Sequence, residues 1–203
     1  MKPIKTATAF FSHCLVLTAL LGSSNSYAAQ KTTAALAPTI DNFDHQQTNS
    51  LGIARLHMSD AVAGGNTTTV PTVADGVLHI KGEILPPRGQ PGWASTVLPL
   101  GPEGQNQDAS QFEGIRVVIK VDTGNISISA NSTEITNFDY HTKPIPVAAD
   151  GQFHEVKIPF KTMKRVWSEQ TPLNTKTLHS LSIVAFNTQA GVYDYAIDEV
   201  SFY

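Results

Sequence analysis

The chain has 203 residues, 14 Lys and Arg against 17 Asp and Glu, 41% apolar residues and one cysteine. Such a length suits one all-β domain. The slight acidity, with Lys161, Lys164 and Arg165 as the densest basic group, argues against nucleic acid and anionic membrane surfaces as partners, and a lone thiol leaves no disulfide.

In chain order, Lys2 and Lys5 precede an apolar run from Ala7 to Leu21. Ser26 and Ala28 then stand at the small-residue positions of a signal-peptidase site. The pattern predicts a signal peptide over residues 1–28 and a periplasmic or secreted protein. The run is shorter than the ~20 apolar residues of a membrane span, so no transmembrane segment is expected after cleavage. Cys14 lies inside it. Without Lys2 and Lys5, 12 basic and 17 acidic residues remain, a net charge of −5. Residues 29–39 read as a flexible leader and 40–203 as one domain.

Within that domain, Leu51 to Met58 reads as a strand. Val73 to Ile84 reads as a hairpin turning at Asp75-Gly76. Trp93 to Leu100 is a strand entered through Pro91-Gly92. A polar turn at Asp108-Ala109-Ser110 leads into Ile115 to Val121, where Ile115, Val117, Ile119 and Val121 alternate with Arg116 and Lys120. In Asn125 to Ala130, Ile126 and Ile128 alternate with Ser127 and Ser129. Phe153 to Phe160, Leu178 to Phe186 and Val192 to Tyr203 complete the strands. A helical period shows only at Lys161 to Ser168, one or two turns around Met163 and Val166. Short strands joined by long segments (86–92, 101–111 and 161–177) predict an all-β jelly-roll β-sandwich rather than a closed barrel.

The inventory for chemistry is thin. There is no Gly-x-Ser-x-Gly elbow, and no two of His45, His57, His79, His141, His154 and His179 share the i,i+2 or i,i+4 spacing of paired metal ligands. No catalytic residue is assigned. Asp41, Asn42 and Asp44 open the domain, and Asp198 and Glu199 close it. Jelly-roll termini often lie on adjacent strands, so Asp41, Asp44 and Asp198 are candidate ligands of a structural calcium ion; the alternative is solvated turn carboxylates. Asp60, Glu83, Asp108 and Glu113 are the carboxylates from which a glycosidase pair would be drawn. Trp93, Trp167 and Tyr140 are candidate stacking groups for a flat ligand, with core packing as the alternative for both indoles. Asp60, beside the Gly64-Gly65 loop, is a candidate ligand contact.

Five segments carry a resemblance. Ser59-Asp60-Ala61-Val62-Ala63-Gly64-Gly65-Asn66 resembles the Asp-x-Val-Met-Gly-Gly-x-Ser motif of the complex I intermediate-associated protein family, whose members assist NADH:ubiquinone oxidoreductase assembly. Gly92-Trp93-Ala94-Ser95, Asp108-Ala109-Ser110-Gln111-Phe112-Glu113-Gly114-Ile115 and Val156-Lys157-Ile158-Pro159-Phe160 are similar to its later motifs, in order. The ending Ala196 to Tyr203 resembles its last strand and that of carbohydrate-binding modules. Ala61 stands where the family has Arg, and Ala63 where it has Met. The resemblance implies a galactose-binding-like jelly roll. The expected function is an exported, non-catalytic binding domain for a carbohydrate or a partner protein. An assembly or chaperone-like factor for a membrane or envelope complex is one alternative, and a carboxylate-dependent enzyme acting on glycans another. Any binding surface is expected on the loops.

Overall fold

The computed structural model describes residues 35–203; the expected signal peptide lies outside the described residues. Eleven strands follow in order: β1 (Thr39–Asp41), β2 (Leu56–Ser59), β3 (Val70–Ala74), β4 (Val77–Ile84), β5 (Gly92–Pro99), β6 (Gly114–Thr123), β7 (Asn125–Ser132), β8 (His141–Pro144), β9 (His154–Pro159), β10 (Leu178–Asn187) and β11 (Gly191–Phe202). They form two antiparallel sheets. One has the order β3-β4-β11-β6-β9, with β1 also paired to β11; the other has the order β2-β5-β10-β7-β8. This is the all-β jelly-roll sandwich expected from the sequence.

Period-two patterning decides what lies between the sheets. From the first sheet come Ile115, Val117 and Ile119 of β6, Leu78 and Ile80 of β4, and Tyr195 and Ile197 of β11. From the second come Ala94 and Leu98 of β5, Ile126 and Ile128 of β7, and Leu181, Ile183 and Ala185 of β10. The β3–β4 hairpin turns where expected. Asp75 and Gly76 both take positive φ, 53° and 74°, the geometry of a two-residue turn whose twist matches the strands.

Three elements differ from expectation. The strand expected from Leu51 begins only at Leu56, because the Asn49 side chain accepts the N–H groups of Leu51 and Ile53 and curls that segment into a turn. The helix expected over Lys161 to Ser168 is absent. A single 3₁₀ turn, Phe160–Thr162, is followed by extended chain in which Lys164 bridges to Thr142. Met163 is buried by that extended path, not by a helical face. Strands β1 and β8 are too short for periodicity to announce them. The termini do lie on adjacent strands, with Thr39 opposite Ser201.

Candidate functional site: the outer face of the five-stranded sheet

Alternate residues of β2, β5, β10, β7 and β8 point away from the core, and the strand registers set them in rows. The first row is Trp93, Phe186 and Asn125; the next is Met58, Ser95, Val184, Ser127 and Pro144. Then come Leu56, Val97, Ser182, Ser129 and Thr142, and finally Pro99, Ser180 and Asn131. Trp93 and Phe186 are cross-strand partners at one end, half-buried and exposed respectively. At the other end Tyr140 and His179 meet edge to face, with ring centroids 5.9 Å apart. Burial pushes the Tyr140 phenol up and the His179 imidazole down, so both are neutral at neutral pH. Between the two ring pairs lie small side chains, mostly hydroxyls. Asn131 donates through Nδ2 to the Ser180 and Ser182 hydroxyls at 2.9 and 2.7 Å. The outer face thus has aromatic ends and a polar middle whose Ser127, Ser129, Asn131, Ser180 and Ser182 are each buried beneath their neighbours.

In the sequence, Ser127 and Ser129 read only as the polar side of a strand. The signal available was that β7 and β10 both place Ser or Asn at successive positions opposite their apolar residues, without the charges that a solvated face normally carries.

Trp167 stands elsewhere. Trp93 is on β5, and β10, β7 and β8 intervene before the Lys164–Thr142 bridge that leads to the Trp167 loop. That loop lies level with Asp139, at the far end of the strands from Trp93. The two indoles occupy diagonal corners and do not share one stacking surface; Tyr140 is the candidate that joins the sheet face.

The Trp167 loop is organised by one carboxylate. Asp139 is 1% exposed and accepts the N–H groups of Val166, Trp167 and Ser168 at 2.8, 3.1 and 2.6 Å. Burial pushes its carboxyl up. The N–H groups and the Ser168 hydroxyl more than offset that, and hold it below the usual carboxylate range. The result is an apolar projection: Phe138, Val166 and Trp167 are 77%, 67% and 69% exposed. A folded-state pKa below the unfolded one stabilises above the unfolded value, and that contribution fades as pH falls through the folded value. Acid should therefore loosen this loop, starting below the ordinary Asp value of about 3.9. In a Trp93→Phe background, Trp167 fluorescence anisotropy is expected to drop below about pH 4. Asp139→Ala should show the same low anisotropy at neutral pH; an unchanged signal would assign the loop's order to other contacts.

Asp60 is buried, and its carboxylate faces its own loop. It accepts Thr67 N–H and Oγ1–H at 2.9 and 2.7 Å and Trp93 N–H at 3.2 Å. It clamps the 60–67 loop to the start of β5 and so fixes the backbone from which the Trp93 indole projects. Gly65 is needed there because a Cβ would collide with the Asp60 carboxylate.

The candidate calcium ligands do not assemble. Among the described residues no group of three or more His, Cys, Asp or Glu side chains is placed to hold a metal ion. Asp41 is engaged by Arg55, Asp44 bonds Asn42, and Asp198 is exposed on β11. The four candidate hydrolytic carboxylates fall in two separate places, Asp60 near Glu83 and Asp108 near Glu113. Glu83 lies opposite Val192, near one end of β11, while Glu113 precedes β6 and bonds Tyr203 at the other end. Asp108 accepts Ser110 N–H at 2.8 Å; bonds from the Ser110 side chain and then its backbone hold the carboxyl below its ordinary value. Asp108 and Ser110 form the turn that feeds β6.

Comparison with known proteins agrees with this architecture. The family 11 carbohydrate-binding module of the cellulosomal cellulase Lic26A-Cel5E of Clostridium thermocellum superposes with a TM-score of 0.57 at 17% identity, covering 83% of this chain and 95% of the module. The same organism's family 11 module in complex with a β-1,3-1,4-mixed-linked tetrasaccharide gives 0.56 at 17%, covering 81% and 94%. An agarase, AgWH50C, gives 0.53 at 10%, covering 81% of this chain and 26% of the agarase. At such identities the likeness establishes the fold alone. No curated protein matches in sequence. The model of Complex I intermediate-associated protein 30 (CIA30) matches residues 42–197, a span that contains the first four resembling segments and the start of the last, and on this match the chain belongs to the CIA30 family.

Proposed function

We propose that this protein is an exported, non-catalytic domain that binds a carbohydrate along the outer face of the five-stranded sheet. One observation carries the reading: half-buried and exposed rings flank a floor of hydroxyl and amide groups that spans three neighbouring strands. Sugars present apolar C–H faces and a rim of hydroxyls. They are held by flat rings on one and by oriented polar groups on the other. The fold likeness to a module solved with a mixed-linked tetrasaccharide supports the reading, and the amino-terminal pattern supports export. Calorimetric titration with a panel of soluble oligosaccharides, headed by that tetrasaccharide and agarose fragments, should show saturable binding without turnover. A panel with no binder, or release of cleavage products, would overturn it.

The Phe138, Val166 and Trp167 projection favours a second reading. Three exposed apolar side chains on two segments tied together by a buried acid suit a protein partner, and family membership points to an assembly factor for a membrane complex. Co-purification of one defined membrane complex with the tagged protein, abolished by Trp167→Glu, would support this; retention of the complex by the variant would refute it.

A further inference from the structure

The contact between Tyr140 and His179 spans more than it first shows. His179 belongs to β10 and Tyr140 immediately precedes β8, and β7 lies between those strands. Strands two apart in a sheet are separated by roughly 9–10 Å, yet the ring centroids are 5.9 Å apart. The rings therefore lean toward each other across β7. At that level Ser180 is opposite Asn131, and Ala130 is opposite His141, the residue after Tyr140. The outward-facing β7 residue beneath the ring pair is Asn131.

Asn131 is 3% exposed. Its Nδ2 is satisfied by two serine hydroxyls, and its Oδ1 has no partner. Turning the amide over does not cure this. The oxygen would then take the serine protons and leave the two N–H donors orphaned. A buried amide oxygen with no donor is a costly feature in a core. It is an economical one in a binding site whose ligand brings the donor.

We propose that Tyr140 and His179 form a movable cover over a polyol subsite built from Asn131, Ser180 and Ser182. This rests on the carbohydrate reading above. When the rings part, one hydroxyl of a bound sugar donates to Asn131 Oδ1. An adjacent hydroxyl accepts the Ser182 Oγ proton, which the Asn131 bond leaves free. Asn131 Nδ2 keeps both serines oriented throughout. The parted rings exchange their edge-to-face contact for stacking on the sugar. The subsite thus selects a ligand with two neighbouring hydroxyls, where Trp93 and Phe186 select only a flat apolar face.

The test is nuclear magnetic resonance on the ¹³C,¹⁵N-labelled protein, following the Asn131 side-chain amide, the Tyr140 and His179 rings and the Trp93 indole. Without ligand, Tyr140→Ala is expected to speed exchange of the Asn131 amide with water; unchanged protection would overturn the cover. In titration with the β-1,3-1,4-mixed-linked tetrasaccharide, all four signals should move with one Kd. Asn131→Ala should weaken that Kd about five- to tenfold while leaving the Trp93 response intact. If Trp93 responds and Asn131 does not, the subsite is refuted and the carbohydrate reading stands. If no signal moves with this or any oligosaccharide of the panel, both fall together.

Discussion

Arg55→Met is expected to cost about 3–5 kcal/mol of folding stability, the largest loss from a single substitution outside the apolar core. Arg55 and Asp41 have side chains that are each 1% exposed. Arg55 Nε meets Asp41 Oδ2 at 2.6 Å and its Nη2 meets Oδ1 at 2.8 Å, a bidentate pair. Nη1 donates to the His45 carbonyl at 2.8 Å, and the guanidinium lies 4.9 Å from the centre of the Phe43 ring. Asp41 ends β1, which belongs to the six-stranded sheet, and Arg55 immediately precedes β2, at the edge of the five-stranded one. The pair is an ionic tie between sheets. Removing the cation leaves a carboxylate buried with only the Phe43 N–H at 3.0 Å to bond it. For a domain of this size the loss lowers the melting temperature by on the order of 10 °C. The double variant Asp41→Leu with Arg55→Met should recover much of it, because the unpaired charge rather than the missing pair is the main penalty. Thermal melts of the two variants check both statements, and a single variant that melts with the wild type would refute the tie.

Trp93→Ala is expected to remove about 2 kcal/mol of binding free energy, roughly a 30-fold rise in Kd for any oligosaccharide that binds. The indole is half-buried on the outer face beside Phe186, its cross-strand partner. The Asp60 carboxylate holds its backbone N–H. Its main chain is thus fixed before a sugar stacks on the ring, so little backbone freedom is lost on binding. Trp167→Ala should leave the same Kd within about twofold, because its loop is at the diagonal corner. Calorimetric titration separates these outcomes. Equal losses from both indoles would place the ligand across the β8 edge instead.

The fold was legible where side chains alternate over five or more residues. Ile115 to Val121 and Leu178 to Phe186 are examples, since burial of one face leaves the other polar and the period survives in the sequence. It was illegible where a strand is set by its neighbours. His141 to Pro144 forms β8 because β7 and Lys164 flank it, and nothing local marks it. Met163 and Val166 have helical spacing, but tertiary bridging kept that segment extended. The site was legible in its residue types and not in its arrangement. Trp93 and Tyr140 reach one face only through the register of four strands, while Trp167 is removed from it by the same register. Asp60 looked like a ligand contact because it stands beside two glycines. The structure gives that glycine pair a different reason, since Gly65 makes room for the carboxylate.

Blocking the outer face of the five-stranded sheet tests the central claim most directly. Ser95 sits between Met58 and Val184, one step along β5 from the Trp93 row, and is half-buried on the outer face. Ser95→Trp places a large side chain on the proposed sugar path without touching the core. Titration of this variant with the oligosaccharide that binds the wild type best is expected to give no detectable binding, with the melting temperature essentially unchanged. Binding at wild-type affinity by a fully folded Ser95→Trp protein would contradict the account.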